Sequence, residues 1–361
     1  MLWVFEVIFI NSHLFSFFDR ILNLTQCRKK SHAEFDNKKK YTSNQRWDEF
    51  RSVAKYPRFK SYHGKQSCQY PQNVSIVDEC LKIPQLGLVK ASIHRIFEGE
   101  IKTVTVSKTP TGKYFASILF DTQQELPFAT ITGKICGIDL GIKDFAIVHD
   151  GEKTSKYANP KHIKKQEKNL ARKQQKLARK KKGSKNREKA RKLVAKVHER
   201  TSNARQDFLH KLSRKIVNNN QVVVVEQLNI KGMVRNHCLA KAISDVGWGT
   251  FINFLDYKLK QKGGLLVEID RWFPSSKTCS NCLYQMSEMP LEIREWTCPS
   301  CGIHHDRDEN ASKNIRAEGI RKIQADGTAV SASGGSVRPK GGRKSVLRHE
   351  PVKDEAHTIN L

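Results

Sequence analysis

Lys134-Ile-Cys-Gly-Ile-Asp139-Leu-Gly-Ile-Lys143 is the stretch whose reading decides the fold. Ile135 and Ile138 are apolar and Gly137 and Gly141 are small, so it reads as a buried strand that carries one carboxylate, Asp139. Burying an unpaired carboxylate costs roughly several kcal/mol. A strand core keeps one where a cation or a set of hydrogen-bond donors arrives. The alternative is an Asp at a strand-to-turn edge, and this stretch alone leaves both open.

The neighbouring sequence extends the strand into a sheet. Phe145–His149 reads as a second strand, and Asp150-Gly-Glu-Lys153 turns into a third at Thr154–Ala158. Gln221-Val-Val-Val-Val-Glu226-Gln-Leu228 is the clearest buried strand, because consecutive valines require cover on both faces. Residues 245–261 form a helical pattern with Trp248, Phe251, Phe254, Leu255 and Leu259 on one side. Gly263-Gly264 stops it, and Leu265–Ile269 is the next strand. A hairpin, a third strand, helix, strand, helix, strand is the element order of an RNase H-like α/β fold. There the first and fourth strands are neighbours, so Asp139 and Glu226 can face one site.

Two basic helical patterns fill the span from 160 to 218. Ile163, Leu170 and Leu177 recur every seven residues in the first, a narrow apolar seam, and Gly183-Ser184 breaks it. The second, 186–217, places Ala190, Leu193, Val197, Thr201, Ala204, Phe208, Leu212 and Ile216 on one side. Between Lys161 and Arg200 the only acids are Glu167, Glu188 and Glu199, so interspersed ion pairs cannot absorb the charge. A solvated face is the ordinary reading of such a run; a one-sided excess favours a nucleic-acid face, with Arg172, Arg179, Arg187, Arg200 and Arg205 as candidate contacts.

The whole chain agrees. Its 361 residues carry 65 Lys+Arg against 36 Asp+Glu, a formal net charge of +29. Such an excess is too large for a generic soluble enzyme and points to a polyanion, nucleic acid before an acidic membrane surface. Tyr56-Pro-Arg58-Phe-Lys60-Ser-Tyr-His-Gly-Lys65 mixes aromatics with basic residues, a composition for stacking on bases and gripping phosphates, or else an ordinary exposed loop. After it, Val74–Val77, Leu88–His94, Ile101–Ser107 and Tyr114–Asp121 read as short strands of a small β-barrel or sandwich. Lys108-Thr-Pro-Thr-Gly112 is the hairpin turn. The apolar start, Met1 to Ile10, lacks a signal peptide's basic region and is too short to span a membrane. It reads as translated upstream sequence or a small docking helix, and the chain as cytoplasmic and nucleoid-associated.

Nine cysteines are present, of which Cys27, Cys68, Cys80, Cys136 and Cys238 are scattered. Cys279-Ser-Asn-Cys282 and Cys298-Pro-Ser-Cys301 lie fifteen residues apart. Two such knuckles hold one structural Zn²⁺ with four thiolates; His304 and His305 just beyond need not be ligands. Asp306-Arg-Asp308-Glu-Asn310-Ala311 follows and reads as a helix start. Acids there are commonly caps. Set beside Asp139 and Glu226, a third carboxylate completes the hard-oxygen set with which two Mg²⁺ (or Mn²⁺) ions hydrolyse a phosphodiester.

Together, Gly137-Ile-Asp139-Leu-Gly141, Val225-Glu226-Gln-Leu228, Arg271-Trp-Phe-Pro-Ser-Ser-Lys-Thr-Cys279-Ser-Asn-Cys282, and Cys298-Pro-Ser-Cys301 with His305-Asp-Arg-Asp308-Glu-Asn310-Ala311 resemble the TnpB family of transposon-encoded, RNA-guided nucleases. Arg205–Ser213 and Tyr56–Lys60 also resemble family segments, so the likeness runs from about Tyr56 to Lys344. The resemblance implies a RuvC-like nuclease domain with an inserted zinc ribbon, preceded by a wedge-type β-barrel. It implies a guide RNA from the transposon end and double-stranded target DNA as partners, with no membrane. It assigns the three RuvC acids to Asp139, Glu226 and Asp308, the last because it stands two before Asn310-Ala311. The implied layout is an atypical segment over 1–55, barrel over 56–132, nuclease over 133–270, ribbon over 271–302, last helix over 303–320 and flexible tail over 321–361. Two departures stand out. Leu283 occupies the position after the second zinc cysteine where the family has Gly. Residues 1–55 resemble neither the family's first strand nor its helical segment, which suggests a truncated or decayed copy that binds RNA and DNA without cutting. A DNA-strand-transferring transposase is the other alternative the three acids permit.

Overall fold

A computed structural model describes residues 3–10, 66–93, 99–129, 133–290 and 292–333. The Tyr56–Lys65 segment, with Arg58, Lys60 and Lys65, lies outside the described residues, as does the chain beyond 333.

The front half is one antiparallel sheet of β1 (Trp3–Ile10), β2 (Gln66–Tyr70), β3 (Ser75–Val77), β4 (Cys80–Ile83), β5 (Gly87–Ser92), β6 (Glu100–Lys108) and β7 (Tyr114–Asp121). The strand order is β2-β6-β7-β1-β5-β4-β3. Tyr114, Ala116, Ile118 and Phe120 alternate inward along β7, the period of a half-buried strand. They share one core with Tyr70 of β2, Leu81 and Ile83 of β4, and Val104 and Val106 of β6, so the sheet curls over a single interior. β1 corrects the reading of the first ten residues. Trp3–Ile10 is neither a docking helix nor outside the fold: it pairs with β7 from Trp3↔Asp121 to Ile10↔Tyr114, and reaches β5 through Phe9↔Ser92. Its Val, Ile, Phe and Trp residues are strong strand formers. The expectation that the front lacks such a strand is overturned with it.

The second sheet runs β10-β9-β8-β11-β12, from β8 (Ile135–Asp139), β9 (Asp144–His149), β10 (Thr154–Ala158), β11 (Val222–Glu226) and β12 (Leu265–Ile269). The first three strands are antiparallel, and β11 is parallel to both β8 and β12. The first and fourth strands are therefore neighbours, in the register Val222↔Ile135 to Val225↔Ile138. Both faces of β11 are covered. Val223 and Val225 join Cys136, Ile138 and Phe145 in a core with Leu209, Leu212, Phe251 and Leu255 from two helices. Val222 and Val224 pack on the opposite face with Ile315 of the last helix.

The helices follow the sequence patterns with three differences. The basic pair spans His162–Ala178 and Lys185–Asn219, with Ser184 capping the second by accepting the Arg187 N–H. Only the second half of the long helix reaches the sheet, so Leu193 is exposed although its spacing marked it apolar-facing. The pattern over 245–261 divides at Gly247, whose φ of 75° ends Ala240–Val246 and starts Trp248–Gln261. The last helix, Arg307–Ser333, continues well past Ile320 into the span expected to be flexible. Ile323 packs under the sheet and the Lys322 ammonium donates to the Glu268 carbonyl at 2.7 Å, which hold that extension down.

Candidate active site and metal centre

Strand parity sets the candidate site. Ile135, Gly137 and Asp139 alternate onto one face of β8, and Val222, Val224 and Glu226 onto the same face of β11. The last helix lies across that face. A Cβ on Gly137 would stand 2.4 Å from the Ser312 carbonyl oxygen, and one on Gly319 would stand 2.3 Å from the Val224 side chain. Only glycine permits the helix to lie this close at either point. The Arg316 guanidinium completes the seat by donating to the Ile135 carbonyl at 2.8 Å. Asp308, in the first turn of that helix, is thus delivered to the ends of β8 and β11 where Asp139 and Glu226 stand.

The electrostatics express this convergence. Burial first, then the charges of Asp308 and Glu226, push the Asp139 carboxyl up to about 7. Burial pushes the Glu226 carboxyl up to about 7. All three acids still reach solvent. Arg294 approaches Asp308 at 3.5 Å. Half-buried carboxylates of like charge, with oxygen donors only, are the donor type that hard divalent cations take. Asp306 is differently employed: its carboxylate accepts the Asp308 and Glu309 N–H groups at 3.0 Å each, capping the helix. It is also ion-paired to Lys156 at 2.8 Å. The cap expected of this acidic run is Asp306.

Cys279, Cys282, Cys298 and Cys301 bring their sulfurs within 4.8 Å of one another, and could hold a metal such as zinc. Among the described residues this is the one such cluster. The two knuckles are built alike. The Leu283 N–H donates to the Cys279 carbonyl and Cys279 N–H to Tyr284; the Gly302 N–H donates to Cys298 and Cys298 N–H to Ile303. The Ile303 N–H draws the Cys301 thiol down to about 6, while burial holds the Cys279 thiol up at about 11. His305 is buried, with Nε2 3.1 Å from the Cys279 sulfur, and its ring lies against Trp296.

Sequence reading missed how the cysteine module meets the last helix. The Asn310 amide donates to the Thr278 carbonyl at 2.7 Å and accepts the Ser280 N–H at 2.9 Å. The Asn314 amide donates to the carbonyls of Ser275 and Thr278 at 2.7 and 2.6 Å. The i, i+4 repeat of Asn on one helix face was the available signal.

The basic candidates divide. Arg172, Arg179 and Arg200 are exposed on the helix pair. Arg187 and Arg205 are engaged within the fold. Arg187 caps the preceding helix by donating to the Leu177 and Lys180 carbonyls at 3.0 and 2.9 Å. Arg205 is half-buried and paired to the buried Asp245 at 3.2 Å, whose other oxygen accepts the Ile163 N–H.

The architecture and cysteine cage define a mixed α/β protein with a metal-ready module set against its last helix. Residues 117–237 match the family model described as "Probable transposase", and 248–315 match that of the Cas12f1-like TNB domain. A Streptomyces pristinaespiralis protein named "Putative RNA-guided DNA endonuclease" is 40% identical over 85% of this chain and 75% of its own length. The similarly named InsQ of Escherichia coli is 29% identical over 75% of this chain and 70% of its own. The cryo-EM structure of a Cas12f1–sgRNA–target DNA complex aligns with a TM-score of 0.46 at 15% identity, over 71% of this chain and 60% of that one. The chain belongs to the TnpB (OrfB) family. No helix among the described residues is long and apolar enough to cross a membrane.

Proposed function

We propose that the protein is an RNA-guided DNA endonuclease whose RuvC-type site is Asp139, Glu226 and Asp308. The observation that carries this reading is the arrival of the three carboxylates from β8, β11 and the last helix on one face of one sheet. The chemistry of bound Mg²⁺ or Mn²⁺ at this set is activation of water and steadying of the leaving phosphate oxygen. The chain's own part is to hold three oxygen ligands still. Asp139 and Glu226 sit at the ends of buried parallel strands, and Asp308 follows a capped helix start. The four cysteines would hold Zn²⁺ as a closed structural site, leaving no position for substrate. In this reading the curled front sheet is the wedge-type barrel, and Arg172, Arg179 and Arg200 contact guide RNA or target DNA. Base pairing then supplies sequence choice while the protein grips backbone and shape.

The test is cleavage of a matched plasmid by the guide-loaded protein in Mg²⁺. Asp139→Ala, Glu226→Gln and Asp308→Ala should each abolish cutting and leave guide-RNA binding intact. Wild-type cutting by Asp139→Ala would sink the assignment, and joined transposon–target products would indicate strand transfer instead.

A further inference from the structure

A basic cleft of about 710 Å³ lies between the C-terminal part of the Lys185–Asn219 helix and the Trp248–Gln261 helix, lined by His210, Lys211, Arg214, Lys215, Asn218 and Lys258. It stands apart from the carboxylates: Leu209, Leu212 and Ile216 of the same long helix pack on the sheet face opposite the last helix.

The charges in this cleft are poorly balanced from within. Lys211 pairs with Asp207 at 2.8 Å. Among the described residues Lys215 meets only the face of the Tyr157 ring, at 5.2 Å. Arg214 is exposed and makes no hydrogen bond or ion pair among the described residues. Lys258 is 4% exposed; its ammonium lies over the Phe254 and Tyr257 rings, 5.5 and 5.8 Å from their centres, and pairs with no carboxylate among the described residues. It donates to the His210 carbonyl at 2.9 Å and to Ser213 Oγ at 2.6 Å, which leaves one of its three N–H donors. Burial, then the charge of Arg214, draws it down to about 8. A buried ammonium next to a free guanidinium is a costly arrangement that an anion between them relieves.

The donors also form rows. His210, Arg214 and Asn218 recur once per helical turn, with Lys211 and Lys215 beside them. His210 stacks on Phe254 with ring centres 3.9 Å apart, which fixes the wall of the cleft. Rows of donors along a helix match a linear polyanion better than a single free ion. We propose that this cleft binds the phosphodiester backbone of a nucleic-acid strand, with one phosphate between Arg214 and Lys258 and its neighbours along the rows. The inference rests on the nucleic-acid-binding part of the proposed function and is independent of the cleavage chemistry.

The experiment is equilibrium binding of the full chain to labelled single-stranded RNA and to labelled duplex DNA, without Mg²⁺, across a salt series. Arg214→Gln/Lys215→Gln removes two exposed cations that no acid partners among the described residues. Each phosphate contact contributes about 0.7 to the salt slope for single strands and about 0.9 for duplex DNA. The double variant should therefore flatten the slope by about 1.4 on RNA or about 1.8 on duplex DNA. Arg214→Lys/Lys215→Arg should restore it. A change on RNA alone identifies the guide as occupant, on DNA alone the target, and on both a shared backbone track. An unchanged slope on both polymers, with the variant's melting temperature kept, overturns the proposal. Failure of the wild type to cut in Mg²⁺ would overturn the nuclease reading and leave this result standing.

Discussion

Leu283→Gly should strengthen the cysteine module, although it removes a large side chain. Leu283 adopts φ 63°, the left-handed region where an L-residue brings Cβ against its own backbone at a cost of roughly 1–2 kcal/mol. Its counterpart in the second knuckle is Gly302, at φ 71° with the same hydrogen-bond pattern. Leu283 is 72% exposed, so deleting its side chain forfeits little burial. Glycine relieves the strain in the folded knuckle but adds freedom to the unfolded chain, worth about 0.5–1 kcal/mol in the opposite sense. The net gain is about 0.5–1 kcal/mol, and because metal affinity and folding are linked here, zinc should bind about 2–5-fold more tightly. Competition against a chromophoric zinc chelator measures this directly. Gly302→Leu supplies the reverse arm. A Cβ there meets nothing within 4 Å, so its weakening of zinc binding reports backbone strain alone. Equal zinc affinity for Leu283→Gly and wild type, or a weaker variant, would refute the strain argument.

Asn314→Ala removes the hydrogen bonds to the Ser275 and Thr278 carbonyls and should cost about 1–3 kcal/mol in thermal unfolding. It should also raise the Mg²⁺ needed for half-maximal cleavage while leaving zinc content unchanged. In the metal-free protein, Asp139→Asn should raise the melting temperature at pH 8, a gain of about 2 kcal/mol after discount for the open side of the site. The sign follows from the raised carboxyl: the native state holds its proton up to about pH 7 and the unfolded chain releases it near 4. Stability is therefore lost as pH rises through that window, and the advantage of Asn should shrink toward pH 4 in a melting series. Gly137→Ala should destabilise the fold by about 2 kcal/mol or more through overpacking, because its Cβ meets backbone atoms of the last helix at 2.4 and 2.5 Å; chemical denaturation reads the loss.

The sheet around Asp139 was legible because its strands announce their burial. Four valines in succession admit only a strand covered twice, and the neighbouring β8 and β11 follow from the element order. The front sheet was harder. β2 and β4 are short, Gln66–Tyr70 and Cys80–Ile83, and their inward residues, Tyr70, Leu81 and Ile83, are too few to show a period. β1 was misread for another reason: an apolar run at a chain start invites comparison with leaders, and its partner lies over a hundred residues away. The arginines show a second limit. Arg205 in a basic helix looks like a nucleic-acid contact until Asp245, forty residues on, is placed against it. No local pattern encodes that pairing.

The placement of Asp308 rests on two seats that the sequence presents as unrelated motifs. One is steric: Gly137 and Gly319 let the last helix touch β8 and β11. The other is polar: Asn310 and Asn314 bind the carbonyls and one N–H of the chain entering the first cysteine knuckle. The first seat sets the height of the helix over the sheet, and the second sets its position along its own axis. A metal held by the cysteines stiffens the very segment, 275–280, that the asparagines grip. Zinc held there would be structural in the ordinary sense and would also help determine where Asp308 stands. Chelating it should lower Mg²⁺ affinity at the carboxylates before the central sheet unfolds. Loss of zinc with unaltered Mg²⁺ binding, measured by calorimetry on the same sample, would separate the two seats and leave the glycine contacts as the sole cause.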